Sequence, residues 1–241
     1  MNYPQRQRVG PSFGWGLTPM VRALLIATAA CYAAELIAIN WFGRSDIVAL
    51  FSLVPSDVIR HGYVWQVLTY LWLHDPYSPW HLLLNLFGLY MFGGPMERRW
   101  GARPFLRFYL ITGGLAGLVV VGAGWLFYPD VATIGCSGAV LALAAAFGIA
   151  YAEAPVFLFG ILPMRARTLL LVIVGFVAFD WLTRRQGISV AGHAGGLAAG
   201  ALLVTGWWRP SRIRRAIADR RGARARVRFE RHDGEGPKWM N

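Results

Sequence analysis

Three short stretches hold side chains that could do chemistry together: Gly135-Cys136-Ser137-Gly138-Ala139, His193 within Ala191-Gly192-His193-Ala194-Gly195-Gly196, and His81-Leu82-Leu83-Leu84-Asn85. A serine becomes a nucleophile when an imidazole within hydrogen-bond reach takes its proton. Each stretch lies at the same end of a different hydrophobic segment, and a serine facing a histidine inside a bilayer is hard to explain as packing. The pair reads as a nucleophile and its base. Ser137 also opens its segment, so the free N–H groups and positive dipole end of a helix start lie beside it, where an oxyanion would be stabilised.

These residues are positioned by a chain that reads as a membrane protein. Of its 241 residues 56% are hydrophobic and only 15% charged, with mean hydropathy +0.43. That profile lies outside the range of ordinary soluble domains. Cys31 and Cys136 fall in different apolar segments, so no disulfide framework is suggested.

The expected architecture is all-α: a polytopic bundle of six transmembrane helices. Apolar segments occupy about 20–42, 80–96, 104–127, 137–153, 168–183 and 189–208, each near the roughly 17–25 residues a spanning helix needs. The first is long enough to be an uncleaved span rather than the core of a signal peptide. The long, aromatic-rich segment Gly43 to Pro79 suits the headgroup zone. The expected organisation is a cytoplasmic tail (1–19), a six-span catalytic domain (20–208) and a basic cytoplasmic tail (209–241).

Arginine placement sets the direction. With both termini inside, 20 of the 24 basic residues are cytoplasmic, eleven of them after Trp208, and only Arg44, Arg60, Arg184 and Arg185 lie opposite. This is a strong positive-inside bias. The basic tail reads as a topology determinant lying on anionic lipid. Nucleic-acid binding is not expected, because no recognition module surrounds the charges.

Spans 2, 4 and 6 then run the same way, which brings His81, Ser137 and His193 to one depth. Asn85 sits one helical turn from His81 on the same face. From Ser137 to just before Pro155, span 4 measures ~27 Å against a core of ~30 Å. Its start is therefore expected below the membrane surface, beside a loop (128–136) that dips to reach it and a water-accessible cavity. Gly192, Gly196 and Gly200 on span 6 face small residues on span 4 (Gly138, Ala142, Ala145, Ala146), a pattern that lets helix backbones approach closely. Singly, Ser137 reads as an N-cap, His81 as an interfacial residue and His193 as a satisfied buried histidine. Their shared depth favours a catalytic site.

Other chemistries lack their residues. No His-Glu-x-x-His occurs, and Glu35 and Asp180, the acidic residues within spans 1 and 5, are in no Gly-x-Gly-Asp context. No metal or cofactor is expected. The serine motif also departs from the soluble Gly-x-Ser-x-Gly elbow, since Ala139 replaces the last glycine and no strand precedes it.

With these motifs the chain resembles the rhomboid family of intramembrane serine proteases. The resemblance rests on Gly135-Cys136-Ser137-Gly138, on His193 with its glycines, and on His81-x-x-x-Asn85. His74 and Gly93-Gly94-Pro95-Met96-Glu97-Arg98-Arg99-Trp100-Gly101 add to it, and it covers residues 20–208. It implies an integral protein, in bacteria of the inner membrane, that cleaves transmembrane protein substrates within the bilayer by a Ser–His dyad. Ser137 would be the nucleophile, His193 the general base, and His81, Asn85 and the Ser137 backbone the oxyanion donors. Two positions differ from the family's common pattern. Leu141 stands where an aromatic often stacks on the histidine, and Trp65-Gln66 where a tryptophan–arginine pair is common. The resemblance, with the bulky residues Phe87, Tyr90, Phe176, Phe179 and Trp181, further implies that substrate enters sideways between spans 2 and 5. The alternative is a non-proteolytic rhomboid-like protein that binds membrane clients or assists their turnover; such relatives usually lack the serine or histidine. A solute transporter would show an internal repeat, and none is evident.

Overall fold

The computed structural model describes residues 17–158, 161–183 and 188–206. The segments 1–16 and 207–241, with Arg184 and Arg185, lie outside them, and with them most of both expected tails. The chain divides into two compact units, residues 1–201 and 202–241; of the second, only the end of the last helix is described.

The described residues form nine α-helices, a 3-10 turn and one hairpin. Helix α1 (Pro19–Phe42) is followed by α2 (Ser45–Phe51), α3 (Pro55–Arg60), α4 (Gln66–Thr69) and the 3-10 turn (Tyr70–Trp72). Then come α5 (Pro79–Trp100), α6 (Ala102–Phe127) and α7 (Ser137–Ala150). The antiparallel strands β1 (Pro155–Leu158) and β2 (Leu162–Arg165) lead into α8 (Ala166–Thr183) and α9 (Ile188–Thr205). Among the described residues, three helices (α1, α6 and α8) are by length and composition able to cross a membrane, and α7 and α9 are shorter apolar helices. Helix α5 is long enough, but carries Glu97, Arg98 and Arg99 in its last turn.

Helix α7 is the centre. Its residues from Gly138 to Gly148 are buried on every side except at Leu141, the pattern of a helix enclosed by other helices. Small residues make the enclosure tight. A side chain on Gly88 of α5 would strike Val140, one on Gly148 would strike Leu170 of α8, and one on Gly138 would lie 2.7 Å from the Ala116 Cβ of α6. The closest seam is with α9: a Cβ on Gly196 would run into the Gly138 carbonyl, and one on Gly200 into that of Ala142. Gly196 and Gly200 of the four-residue glycine repeat thus serve backbone-to-backbone contact, while Gly192 faces the Val120 side chain of α6.

The ends of α1 and α5 are stitched by one carboxylate. Buried Glu97 accepts the backbone N–H groups of Met20 at 3.0 Å and Val21 at 2.8 Å, and the Thr18 hydroxyl. It occupies the positive end of α1, where free N–H groups need an acceptor.

Two features differ from the sequence expectation. Helix α7 stops at Ala150 rather than continuing to 153, because residues 151–154 turn and Pro155 opens the hairpin; a residue preceding proline is pushed out of helical geometry. Its 14 residues span only ~21 Å. The hairpin itself is an addition to the all-α reading. Glu153 pairs with Arg165 at 3.0 Å and Arg167 at 2.6 Å across its base. The Gly43–Pro79 segment, in which the sequence shows no periodicity, forms α2 to α4 and the 3-10 turn.

Candidate active site

The loop before α7 is held before it delivers the serine. Thr133 pairs with Leu53 in a two-bond bridge, and the Gly135 N–H donates to the Tyr70 carbonyl at 2.9 Å. Tyr70 is itself fixed, its hydroxyl donating to the Gly113 carbonyl of α6 at 2.9 Å. Gly135 has φ +109°, and a Cβ there would lie 2.7 Å from both Cε1 and Nε2 of His81. Only glycine meets both demands. Cys136 follows, fully buried, with Sγ 3.7 Å from His74 Nε2.

Ser137 is the first residue of α7. The helix ladder begins with the Val140 N–H bonded to the Cys136 carbonyl at 3.0 Å. The N–H groups of Ser137, Gly138 and Ala139 therefore have no acceptor within the helix, and no side chain caps this end. Ser137 Oγ lies 2.8 Å from His193 Nε2, hydrogen-bonding distance for a nucleophile and base. The α7–α9 seam makes that distance possible, because Gly196, one turn from His193, meets Gly138, the residue after Ser137.

His81 and Asn85 stand on the first turns of α5. The Asp75 N–H donates to His81 Nδ1 at 3.3 Å. With Nδ1 acting as acceptor, the neutral ring carries its proton on Nε2, the nitrogen beside Gly135. Asn85 Nδ2 donates to the His81 carbonyl at 2.8 Å, which leaves its second N–H available. His74 packs against His81 with ring centroids 5.2 Å apart. Burial, with the His81 imidazole beside it, pushes His74 down to about 4, so it is uncharged near neutrality.

Ser137, His193, His81 and Asn85 line one cavity of about 920 Å³. Its far wall is α8, through Ile173, Phe176, Val177 and Asp180. Leu141 also lines it. Of the five bulky residues expected between α5 and α8, Phe176 lines the cavity; Phe87, Phe179 and Trp181 are exposed and do not line it.

Several contributors escaped sequence reasoning. Tyr70, Asp75 and Asp180 all face the cavity. Asp180 carried a signal, as an acid inside a span; Tyr70 and Asp75 carried none, since the loop that bears them has no periodicity to read. Among the described residues, no cluster of three or more His, Cys, Asp or Glu side chains is placed to hold a metal ion.

Comparison with known proteins gives a match to the Rhomboid domain over residues 61–210. The chain is 29% identical over 161 residues, 65% of its length, to Rhomboid protease GluP of Bacillus subtilis (strain 168). It is 33% identical over 99 residues, 41% of its length, to RHOMBOID-like protein 6, mitochondrial, of Arabidopsis thaliana. The aligned stretches cover 29% and 30% of those two proteins.

Proposed function

The chain belongs to the rhomboid family, and from that premise we propose that it is an intramembrane serine endopeptidase cleaving transmembrane protein substrates. Family membership and its apolar helices make it an integral membrane protein. The observation that carries the catalytic reading is the 2.8 Å approach of Ser137 Oγ to His193 Nε2 inside a cavity.

In this reading Ser137 Oγ attacks the scissile carbonyl while His193 Nε2 takes its proton. The carbonyl oxygen gains negative charge beside the free N–H groups at the start of α7, His81 Nε2–H and the second N–H of Asn85, donors of the kind that stabilise a developing oxyanion. Collapse of the tetrahedral intermediate passes the proton from His193 to the leaving amine. Water entering the cavity then hydrolyses the acyl-enzyme, with His193 again as base. No third acid is needed for this cycle.

The placement in the membrane belongs to the same proposal: six spans (α1, α5, α6, α7, α8 and α9), both termini cytoplasmic, tails at 1–19 and 209–241, and, in a bacterium, the inner membrane. Cavity residues contributed by α5 and α8 support substrate entry between those helices.

Labelling of the purified protein with a fluorophosphonate, together with cleavage of a transmembrane substrate, tests the reading. Wild type should label and cleave, and Ser137→Ala should do neither. A wild-type protein that binds membrane clients yet neither labels nor cleaves is instead the non-proteolytic relative.

A further inference from the structure

Glu35 is only 3% exposed, on a helix apolar enough to cross a membrane. A carboxylate in such a place is costly and needs a reason. It is absent from the cavity wall and so touches no reacting atom. Its Oε2 accepts the backbone N–H of His74 at 3.0 Å. One turn earlier on α1, the Tyr32 hydroxyl donates to the Asp75 carbonyl at 3.4 Å. Helix α1 thus grips the dipeptide His74–Asp75 at both its ends.

That dipeptide meets the site at three points. The Asp75 N–H donates to His81 Nδ1, the His74 ring packs on the His81 ring, and His74 Nε2 faces the Cys136 sulfur next to the nucleophile. We propose that Glu35 is a positioning residue for His81: by holding the His74 N–H it keeps the Asp75 N–H on His81 Nδ1, which keeps the ring proton on Nε2 towards the cavity.

Removal of the Glu35 carboxylate would be felt first at the next residue in this chain of contacts. His74 is fully buried, so its N–H would lose its acceptor where water cannot replace it, and such a group moves to find another. Movement of that peptide carries the Asp75 N–H away from His81. The imidazole is then free to take the other tautomer, in which Nε2 bears a lone pair and repels an oxyanion instead of binding it.

This inference rests on the peptidase reading and on His81 as an oxyanion donor. The test measures kcat and KM of the full-length enzyme on a transmembrane substrate for Glu35→Ala, Glu35→Gln, His81→Ala and the Glu35→Ala/His81→Ala double variant, with a thermal melt of each. Glu35→Ala should lower kcat about tenfold with KM near wild type, the effect of one lost buried hydrogen bond. Glu35→Gln keeps a carbonyl acceptor and should restore most of the rate. On a His81→Ala background, Glu35→Ala should change kcat by less than about twofold, because the residues act as one unit. Equal factors in both backgrounds, or a fall that only tracks lost thermal stability, would overturn the proposal. An independent readout needs no variant enzyme: the imidazole 15N shifts of wild-type His81 should report the Nε2–H tautomer, and the Nδ1–H tautomer would sink the idea. If His81→Ala keeps wild-type turnover, the donor reading itself fails; if it loses turnover and Glu35→Ala does not, only the role of Glu35 fails.

Discussion

The His81 ring occupies the space that a side chain at Gly135 would need, with Nε2 and Cε1 each 2.7 Å from an ideal Cβ. The loop before Ser137 and the first turn of α5 therefore fit only while residue 135 is glycine.

Gly135→Ala should accordingly displace His81 and strain the backbone at φ +109°. The strain alone costs about 1–3 kcal/mol, and loss of one oxyanion donor lowers turnover by about 10²–10³. Turnover and a thermal melt measured together check this. A variant with wild-type turnover would show that His81 is not held by this contact.

Ser137→Ala and His193→Ala should each abolish cleavage, and the double variant should be no worse, because the two side chains act as one unit. Cys136→Ala should stay active: its thiol is buried against His74 and does not line the cavity. Comparison of kcat/KM for the four variants decides the matter, and an inactive, folded Cys136→Ala would transfer attention to that sulfur.

Phe176 is the large α8 side chain on the cavity wall, although 68% of it is exposed. Phe176→Ala should speed cleavage of a transmembrane substrate more than cleavage of a short soluble peptide, which need not part α5 from α8. Phe179→Ala and Trp181→Ala, which do not line the cavity, should change the ratio little. Equal acceleration of both substrates by Phe176→Ala would make that side chain a packing element.

Glu97→Ala should destabilise without altering chemistry. It removes the acceptor of two backbone N–H groups and one hydroxyl at the start of α1, which costs about 1–3 kcal/mol. The melting temperature should drop while kcat of the folded enzyme holds. A selective fall in kcat at unchanged stability would contradict this assignment.

The parts of the fold legible in the sequence are those governed by composition and period. Long apolar runs announce α1, α6 and α8, and the spacing of Gly192, Gly196 and Gly200 announces a close helix contact. The convergence of Ser137 and His193 comes from counting spans and their direction. Less visible is anything made by irregular backbone. The Asp75 N–H on His81, the Gly135 N–H on Tyr70 and the grip of Glu35 on His74 all join a side chain or strand of loop to a peptide group. Backbone donors are the same at every position, so no residue type marks them. The early end of α7 is hidden for a related reason. Tyr151, Ala152 and Ala154 are apolar enough to continue the run, and the stop comes from Pro155 and the hairpin it opens.

The seam between α7 and α9 is built of main chain, with Gly196 on Gly138 and Gly200 on Ala142. Glycine and alanine have no rotamers to exchange, so nothing at that contact can swing, and few soft torsions separate Ser137 from His193. Changing the protein's lipids will act elsewhere, on α8, whose large side chains lie mostly in the surroundings. Bilayer composition should therefore govern how often a substrate gets in, and leave the reaction of a seated substrate nearly unchanged.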